Sequence, residues 1–247
     1  MIRVCIAGIT GWTGSAIAGA VEAADDLELV AGVSRSGPGT YAGVPDALDA
    51  MAADVLVDYT SASAVKRNVL DALDRAVAVV IGSSGLTADD YDEIDARARD
   101  AGVGVIAAGN FSVLAALLLR AAAEIARHVS AWEILDYASD AKRDAPSGTS
   151  RELAERLATV RRPAAQETLH GPPEARGADV AGTRIHSLRL PSFVVSTETV
   201  FAAPGERLVL RHDAGESPEP YVAGTLLAIR AVRERVGLTR GLDSLLP

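Results

Sequence analysis

Residues Arg3–Ala7 read as a short apolar strand that runs directly into Gly8-Ile9-Thr10-Gly11-Trp12-Thr13-Gly14, where a helical pattern takes over. No other feature restricts the fold as strongly. Strand, glycine-rich turn and helix in that order make the first βα step of a parallel sheet, and G-x-x-G-x-x-G is a variant of the dinucleotide fingerprint. Glycine is required because the turn is tight and a pyrophosphate must come close to backbone N–H groups. The helix that follows presents its unbonded first-turn donors and the positive end of its dipole to the phosphates. A ligand-free βα turn has the same outline, so the reading gains weight from the strand before and the helix after it. Gly8, Thr10, Gly11, Trp12, Thr13 and Gly14 are the expected cofactor contacts.

The rest of the first half repeats this alternation. Apolar runs at Val4–Ala7, Leu27–Val33, Val55–Asp58, Ala78–Ile81 and Val103–Ala108 are separated by helical patterns at Ser15–Ala24, Ala62–Arg75 and Thr87–Ala101. Strands and helices at this spacing predict βαβ units around a parallel sheet buried on both faces. After Asn110 the pattern changes. Ser112–His128 reads as a helix, Trp132–Tyr137 as a strand and Ser150–Thr159 as a helix, followed by a polar loop over Arg161–Gly182. Arg184–Arg189, Val194–Phe201 and Leu208–His212 then have strand character, which predicts an antiparallel or mixed sheet. A last helix spans about Tyr221–Val236. The fold class is therefore α/β: a Rossmann-like parallel-sheet domain joined to an α+β domain.

Charge and composition narrow the partners. A net charge of −9 argues against nucleic acid or an anionic membrane surface, while leaving room for a locally positive pocket. Aromatic residues make up only 4%, too few for platforms that stack single-stranded bases. The sole cysteine, Cys5, lies in an apolar run and reads as a buried core residue, which suits a reducing cytoplasm. No signal-peptide layout and no membrane-length apolar run is visible. No His, Cys or carboxylate cluster has metal-ligand spacing, so no metal is expected.

Further cofactor residues are expected at the ends of later strands. Ser34 stands where NAD-preferring proteins usually carry an acidic residue for the ribose 2′-hydroxyl, and Arg35 follows it. A guanidinium beside hydroxyls would bind a 2′-phosphate, so NADPH is the expected cofactor, with NADH second. A solvated loop arginine is the plainer reading of Arg35. Tyr59, Thr60, Gly82 and Ser84 lie in loops at the expected carboxyl edge of the sheet, where ligands bind, although Thr60 also suits a helix cap.

The segment Lys142-Arg143-Asp144-Ala145-Pro146-Ser147-Gly148-Thr149 opens a helix. Donors of Ser147, Gly148 and Thr149 at a helix start make a carboxylate or phosphate site. Lys142 is one of only two lysines in the chain, the other being Lys66. An ordinary helix cap with a surface lysine would look similar.

Lys142–Thr149 resembles the K-x-D-A-P-S-G-T signature of the 4-hydroxy-tetrahydrodipicolinate reductase (dihydrodipicolinate reductase) family. The resemblance extends over nearly the whole chain. It takes in Gly8–Gly14, Asp58-Tyr59-Thr60, Gly82–Gly85, the hinge-like Ala108-Gly109-Asn110-Phe111-Ser112, Arg176–Val180 and Glu206–Asp213. It implies a cofactor domain of residues 1–111 and 219–247 and a substrate-binding and tetramerisation domain of residues 112–218. It also implies hydride transfer from NADPH or NADH to a cyclic, imine-conjugated dicarboxylate in lysine biosynthesis. By position, Lys142, Ser147, Gly148 and Thr149 would hold a substrate carboxylate, with Ser84 near it, and Asn110 and Phe111 would border the cofactor.

Three departures stand out. The family's His-His pair, in E-x-H-H-x-x-K, falls on Ala138 and Ser139, and no histidine lies between residues 129 and 169. Alanine cannot carry a proton, and serine is a poor general acid near neutral pH. Pro218 stands in place of a family arginine, and Gly109 in place of a hinge proline. These changes favour a divergent reductase acting on another small cyclic imine or enamine acid, with Lys142 as anchor or proton source and Tyr137 and Asp140 as candidate replacement acids. The authentic lysine-pathway enzyme is the second reading. A non-catalytic NADPH-binding homologue is the third, opposed by the retention of Lys142 with its complete loop.

Overall fold

The structure, a computed structural model, describes residues 1–164, 170–191 and 195–247. The chain begins β1 (Ile2–Ala7), α1 (Trp12–Glu22), β2 (Leu27–Val33), α2 (Val44–Ala50), β3 (Val55–Asp58), α3 (Val65–Leu73), β4 (Ala78–Ile81), α4 (Ala88–Ala101) and β5 (Gly104–Ala107). It continues through α5 (Val113–Ala126), β6 (Ala131–Ala138), α6 (Gly148–Val160), β7 (Ala178–Val180), β8 (Thr183–Arg189), β9 (Val195–Ala203) and β10 (Glu206–Ala214). It ends with α7 (Glu219–Val232) and β11 (Gly237–Arg240). Two compact units result, one of Met1–Val113 with Pro218–Pro247, the other of Leu114–Ser217.

The first unit is built on a six-stranded sheet in the order β11-β5-β4-β3-β1-β2, parallel throughout. Every residue of β3, β4 and β5 is buried, as expected of central strands covered by helices on both faces. Val65, Val69 and Ala72 of α3 and Ile94 and Ala98 of α4 pack with Val79, Ile81 and Val105 in one core cluster. α7 returns to this unit and packs against α1 and the sheet. Cys5 is buried in the core, and burial pushes its thiol up to about 12.

Two elements here were not expected from the sequence. α2 is a single short stretch started by Pro45, with no long apolar period to reveal it. The last helix stops at Val232 rather than near Gly237, and the four residues after the turn add β11 beside β5. So short a segment becomes a strand because β5 offers it an open edge.

The second unit carries a mixed five-stranded sheet, β10-β9-β6-β8-β7. β6 pairs parallel with β8 and antiparallel with β9. Burial alternates strictly along β6: Trp132, Ile134, Asp136 and Ala138 face inward. Leu119 and Ala122 of α5, and Leu153 and Leu157 of α6, cover that face together with Phe201 and Ile185. The expected loop over Arg161–Gly182 includes a short helical turn, Pro173–Arg176, and β7; its residues 165–169 lie outside the described residues, as does Val194, the expected start of the next strand. Among the described residues, no helix is long and apolar enough to cross a membrane.

Candidate active site

In the first unit, the glycine turn is shaped by backbone contacts. Gly8 has φ +83°, and its N–H donates to the Val33 carbonyl at 2.9 Å. Its own carbonyl accepts the Gly11 N–H at 2.9 Å. A Cβ on Gly14 would overlap that Gly8 carbonyl oxygen, so α1 starts as close to the end of β1 as a backbone allows. Gly11 caps α1 without a side-chain hydrogen bond, and no acidic residue stands in the first turn. These N–H groups and the dipole behind them fit the pyrophosphate of a nicotinamide dinucleotide. Thr10, Gly11 and Trp12 are exposed, Thr13 is half-buried, and the Trp12 indole meets the Tyr221 ring edge-on at 6.0 Å.

Tyr59, Thr60 and Gly82 gather beside this turn, but largely as framework. The Tyr59 ring lies where a Gly82 side chain would be, and its hydroxyl hydrogen-bonds Thr225 at 2.6 Å. Burial holds the Tyr59 phenol above its ordinary range, against the bond from Thr225. Thr60 serves the fully buried Asp58: its N–H and hydroxyl donate to Asp58 Oδ1 at 3.1 and 2.8 Å. Ser83 donates to the same oxygen at 2.6 Å, and Asn68 Nδ2 to Oδ2 at 2.8 Å. Asp58 thus ties the loop after β3 to the loop after β4. Asp58 and Ser83 lie in the two loops that the sequence points to, whereas Asn68, inside α3, carries no such signal. Ser84 is exposed.

At the end of β2, Arg35 is exposed and forms no hydrogen bond or ion pair among the described residues. Ser34 shares a hydrogen bond with Thr40 at 3.2 Å, and Thr40 donates to the Gly37 carbonyl at 2.8 Å, which shapes the loop carrying Arg35. Asn110 accepts the Ser112 N–H at 2.8 Å. Phe111 is only 2% exposed and packs on Tyr59, with ring centroids 6.1 Å apart; its side chain is a core group rather than a ligand surface.

The second unit holds the other expected set. Lys142 Nζ pairs with Asp144 Oδ1 at 2.8 Å, and Arg151 Nη2 lies 4.0 Å from Asp144 Oδ2. Ser147 is the N-cap of α6, its hydroxyl accepting the Ser150 N–H at 3.3 Å. Its own N–H donates to Asp136 Oδ2 at 2.9 Å. The expectation that Ser147 offers free donors is corrected here, because its N–H goes to Asp136 and its hydroxyl donates to Ser150 Oγ at 3.4 Å. Gly148 and Thr149 stand in the first turn of α6.

Asp136 was the residue to notice. It is fully buried, yet its carboxylate also accepts from Ser187 Oγ at 3.0 Å, Arg189 Nη2 at 2.9 Å and Ser150 Oγ at 3.2 Å. Burial acts to raise its carboxyl, but the hydrogen bonds from Ser147 and Arg189 prevail and hold it below the usual carboxylate range. Its place in the period-two inward row of β6 was legible; its partners, 51 and 53 residues away, were not. Of the suggested replacement acids, Tyr137 has its phenol raised by burial and by Glu198, and Asp140 accepts from Ser139 at 3.2 Å. Ala138 is fully buried. Among the described residues, no cluster of His, Cys, Asp and Glu is placed to hold a metal.

A parallel sheet with a glycine turn at its first βα step, followed by a mixed-sheet unit, defines the class of nicotinamide-dependent oxidoreductases. Comparison with known proteins specifies which. The family model "Dihydrodipicolinate reductase, N-terminus" matches residues 2–111, and "Dihydrodipicolinate reductase, C-terminus" matches residues 112–246. A 4-hydroxy-tetrahydrodipicolinate reductase of Cutibacterium acnes is 37% identical over 255 residues, covering 100% of this chain and 99% of the relative. One of Beutenbergia cavernae is 38% identical, covering 99% of this chain and 98% of the relative. The solved structure of a dipicolinate-bound dihydrodipicolinate reductase from Paenisporosarcina sp. TG-14 superposes with a TM-score of 0.79 at 28% identity, covering 100% of both chains. The chain belongs to the dihydrodipicolinate reductase family and is an NAD(P)H-dependent oxidoreductase of that type.

Proposed function

We propose that the chain is a 4-hydroxy-tetrahydrodipicolinate reductase that prefers NADPH to NADH. The observation that carries this reading is the Lys142–Thr149 loop, kept whole and built onto a buried carboxylate rather than left as surface. The sequence alone favoured an altered substrate, because Ala138 and Ser139 replace the family's histidines. The relatives' names favour the lysine-pathway reaction instead, at 37% and 38% identity over their full length. A silent binding protein would have no use for so complete an anion loop.

Bound nicotinamide supplies the hydride. The first turn of α1 holds its pyrophosphate through backbone donors, and Arg35 meets a 2′-phosphate. Lys142 and the start of α6 would hold a carboxylate of the cyclic imine, and Lys142 would deliver the proton that the missing histidines would have carried. The resemblance also assigns a homotetramer to the proposal; exposed Leu208 and Val209 on the edge strand β10 suit self-association.

The direct test is NADPH oxidation with freshly generated 4-hydroxy-tetrahydrodipicolinate beside a panel of simple cyclic imino acids. Turnover of the former at biosynthetic rates is expected. Turnover of a panel member alone would reinstate the altered-substrate reading. The cofactor preference has its own test. Arg35→Ala removes a charge-assisted contact worth about 1.5–3 kcal/mol, so the Kd for NADPH should rise about ten- to a hundredfold and that for NADH hardly at all. Equal losses for both cofactors would refute the 2′-phosphate role.

A further inference from the structure

The loop bearing Lys142 leaves the sheet after Ala138 and returns at Ser147, and both its ends are tied at one point. On the outgoing side stands Asp136, fully buried, whose carboxylate takes the N–H of Ser147 at 2.9 Å. From the neighbouring parallel strand β8, Arg189 closes the knot. Its Nη2 donates both to Asp136 Oδ2 at 2.9 Å and to the Asp144 carbonyl at 2.6 Å. Its Nη1 donates to the Leu188 carbonyl at 2.9 Å, which fixes the plane of the guanidinium. Ser187, two residues earlier on the same strand, adds its hydroxyl to Asp136 at 3.0 Å. Asp144 in turn pairs with Lys142 through its side chain. One guanidinium therefore connects the sheet, the residue that holds the lysine and, through Asp136, the first turn of α6.

Charge points the same way. A bare carboxylate beneath the N-terminal end of α6 would oppose any anion arriving there, and it would itself satisfy part of the helix end. Arg189 cancels that charge, its Nη2 lying 2.9 Å from Asp136 Oδ2. A lysine would supply the charge but not the planar fork that reaches two acceptors at once.

We propose that Asp136 and Arg189 form a positioning pair that sets the affinity of this loop for a carboxylate, by holding Lys142 and the start of α6 in register and neutralising the charge beneath them. The inference rests on the reading that Lys142–Thr149 holds the substrate carboxylate. Neither residue need touch substrate.

Dipicolinate, an unreactive dicarboxylate, is titrated into the NADPH-loaded protein and its Arg189→Met, Arg189→Lys and Lys142→Ala variants, with NADPH titrated separately. Arg189→Met should weaken dipicolinate by about tenfold or more, Arg189→Lys by an intermediate factor, and neither should change NADPH affinity by more than about twofold. The loss should fall on KM for the imine substrate more than on kcat. If Arg189→Met yields no folded protein, Arg189→Lys carries the test. Wild-type dipicolinate affinity in the folded Arg189 variants, or equal loss of dipicolinate and NADPH, overturns the positioning role. Lys142→Ala separates the two layers. If it loses dipicolinate while the Arg189 variants keep it, the positioning inference alone falls; if it too binds normally, the carboxylate reading of the loop falls, and the inference with it.

Discussion

Lys142→Ala should lower kcat/KM by about 10²–10⁴-fold, the range in which a positioned proton donor contributes, and leave NADPH affinity unchanged. The effect has two sources. On the proposed reading, the ammonium that would anchor the carboxylate and carry the proton is gone. Its removal also uncovers Asp144, which Lys142 neutralises at 2.8 Å and to which Arg151, at 4.0 Å, is only a loose second partner. The site then presents a carboxylate to a carboxylate. Lys142→Ala/Asp144→Asn should therefore recover part of the lost KM, since the repulsion is removed, but not kcat, since the proton donor is still absent. Steady-state kinetics on the three proteins, with cofactor binding followed separately, resolves these contributions. Normal turnover by Lys142→Ala would show that the lysine neither anchors nor protonates, and the other lysine offers no substitute, because Lys66 is committed to Asp90 and Glu93 at 2.7 Å each.

Local patterns were readable in the sequence, and long-range satisfaction of buried polar groups was not. The glycine turn needs only consecutive residues, and the runs Leu27–Val33, Val55–Asp58 and Ala78–Ile81 match β2, β3 and β4 residue for residue, because short apolar runs between turns mark the strands of a parallel sheet, the central β3 and β4 being buried throughout. β11 escaped notice because its existence depends on the edge of β5 rather than on its own four residues. The site shows the same division. Lys142 stands out as one of only two lysines, and the helix expected over Ser150–Thr159 begins two residues earlier, at Gly148. That Ser147 spends its N–H on Asp136, and that Arg189 joins Asp136 to Asp144, depends on β6 and β8 lying side by side in parallel register. Phe111 looked like a ligand contact and is core, since its side chain is buried against Tyr59. The missing histidines were given more weight toward a new substrate than the relatives support. A proton donor can be replaced by a neighbour already present, whereas a whole anion loop is seldom kept without an anion.

Gly14→Ala should abolish useful cofactor binding, and a second glycine of the same helix supplies the control. A Cβ on Gly14 would overlap the Gly8 carbonyl oxygen and come within 2.8 Å of its carbon and 3.1 Å of Ile9 Cα. All of these are backbone atoms, so no side chain can rotate away; either α1 withdraws from the end of β1 or the turn opens. Gly8 has little freedom to yield, because its carbonyl accepts Gly11 and its N–H is bonded to Val33. Overpacking of this kind costs about 1–3 kcal/mol in stability. Displacing the first turn of α1 from the pyrophosphate should cost more, since hydrogen bonds to a charged group contribute about 1.5–3 kcal/mol each, and losing two raises the NADPH Kd by at least about a hundredfold. Gly19, also in α1, has nothing within 4 Å of its would-be Cβ and is exposed. Gly19→Ala should stabilise by about 0.5–1 kcal/mol through helix propensity and leave NADPH affinity alone. Measured side by side, by thermal unfolding and cofactor titration, the two substitutions separate a steric requirement at the turn from a general effect on the helix. NADPH bound by Gly14→Ala as tightly as by the unaltered protein would mean that the cofactor does not rest on this turn, and Arg35 and the loops after β3 and β4 would lose their assigned roles together.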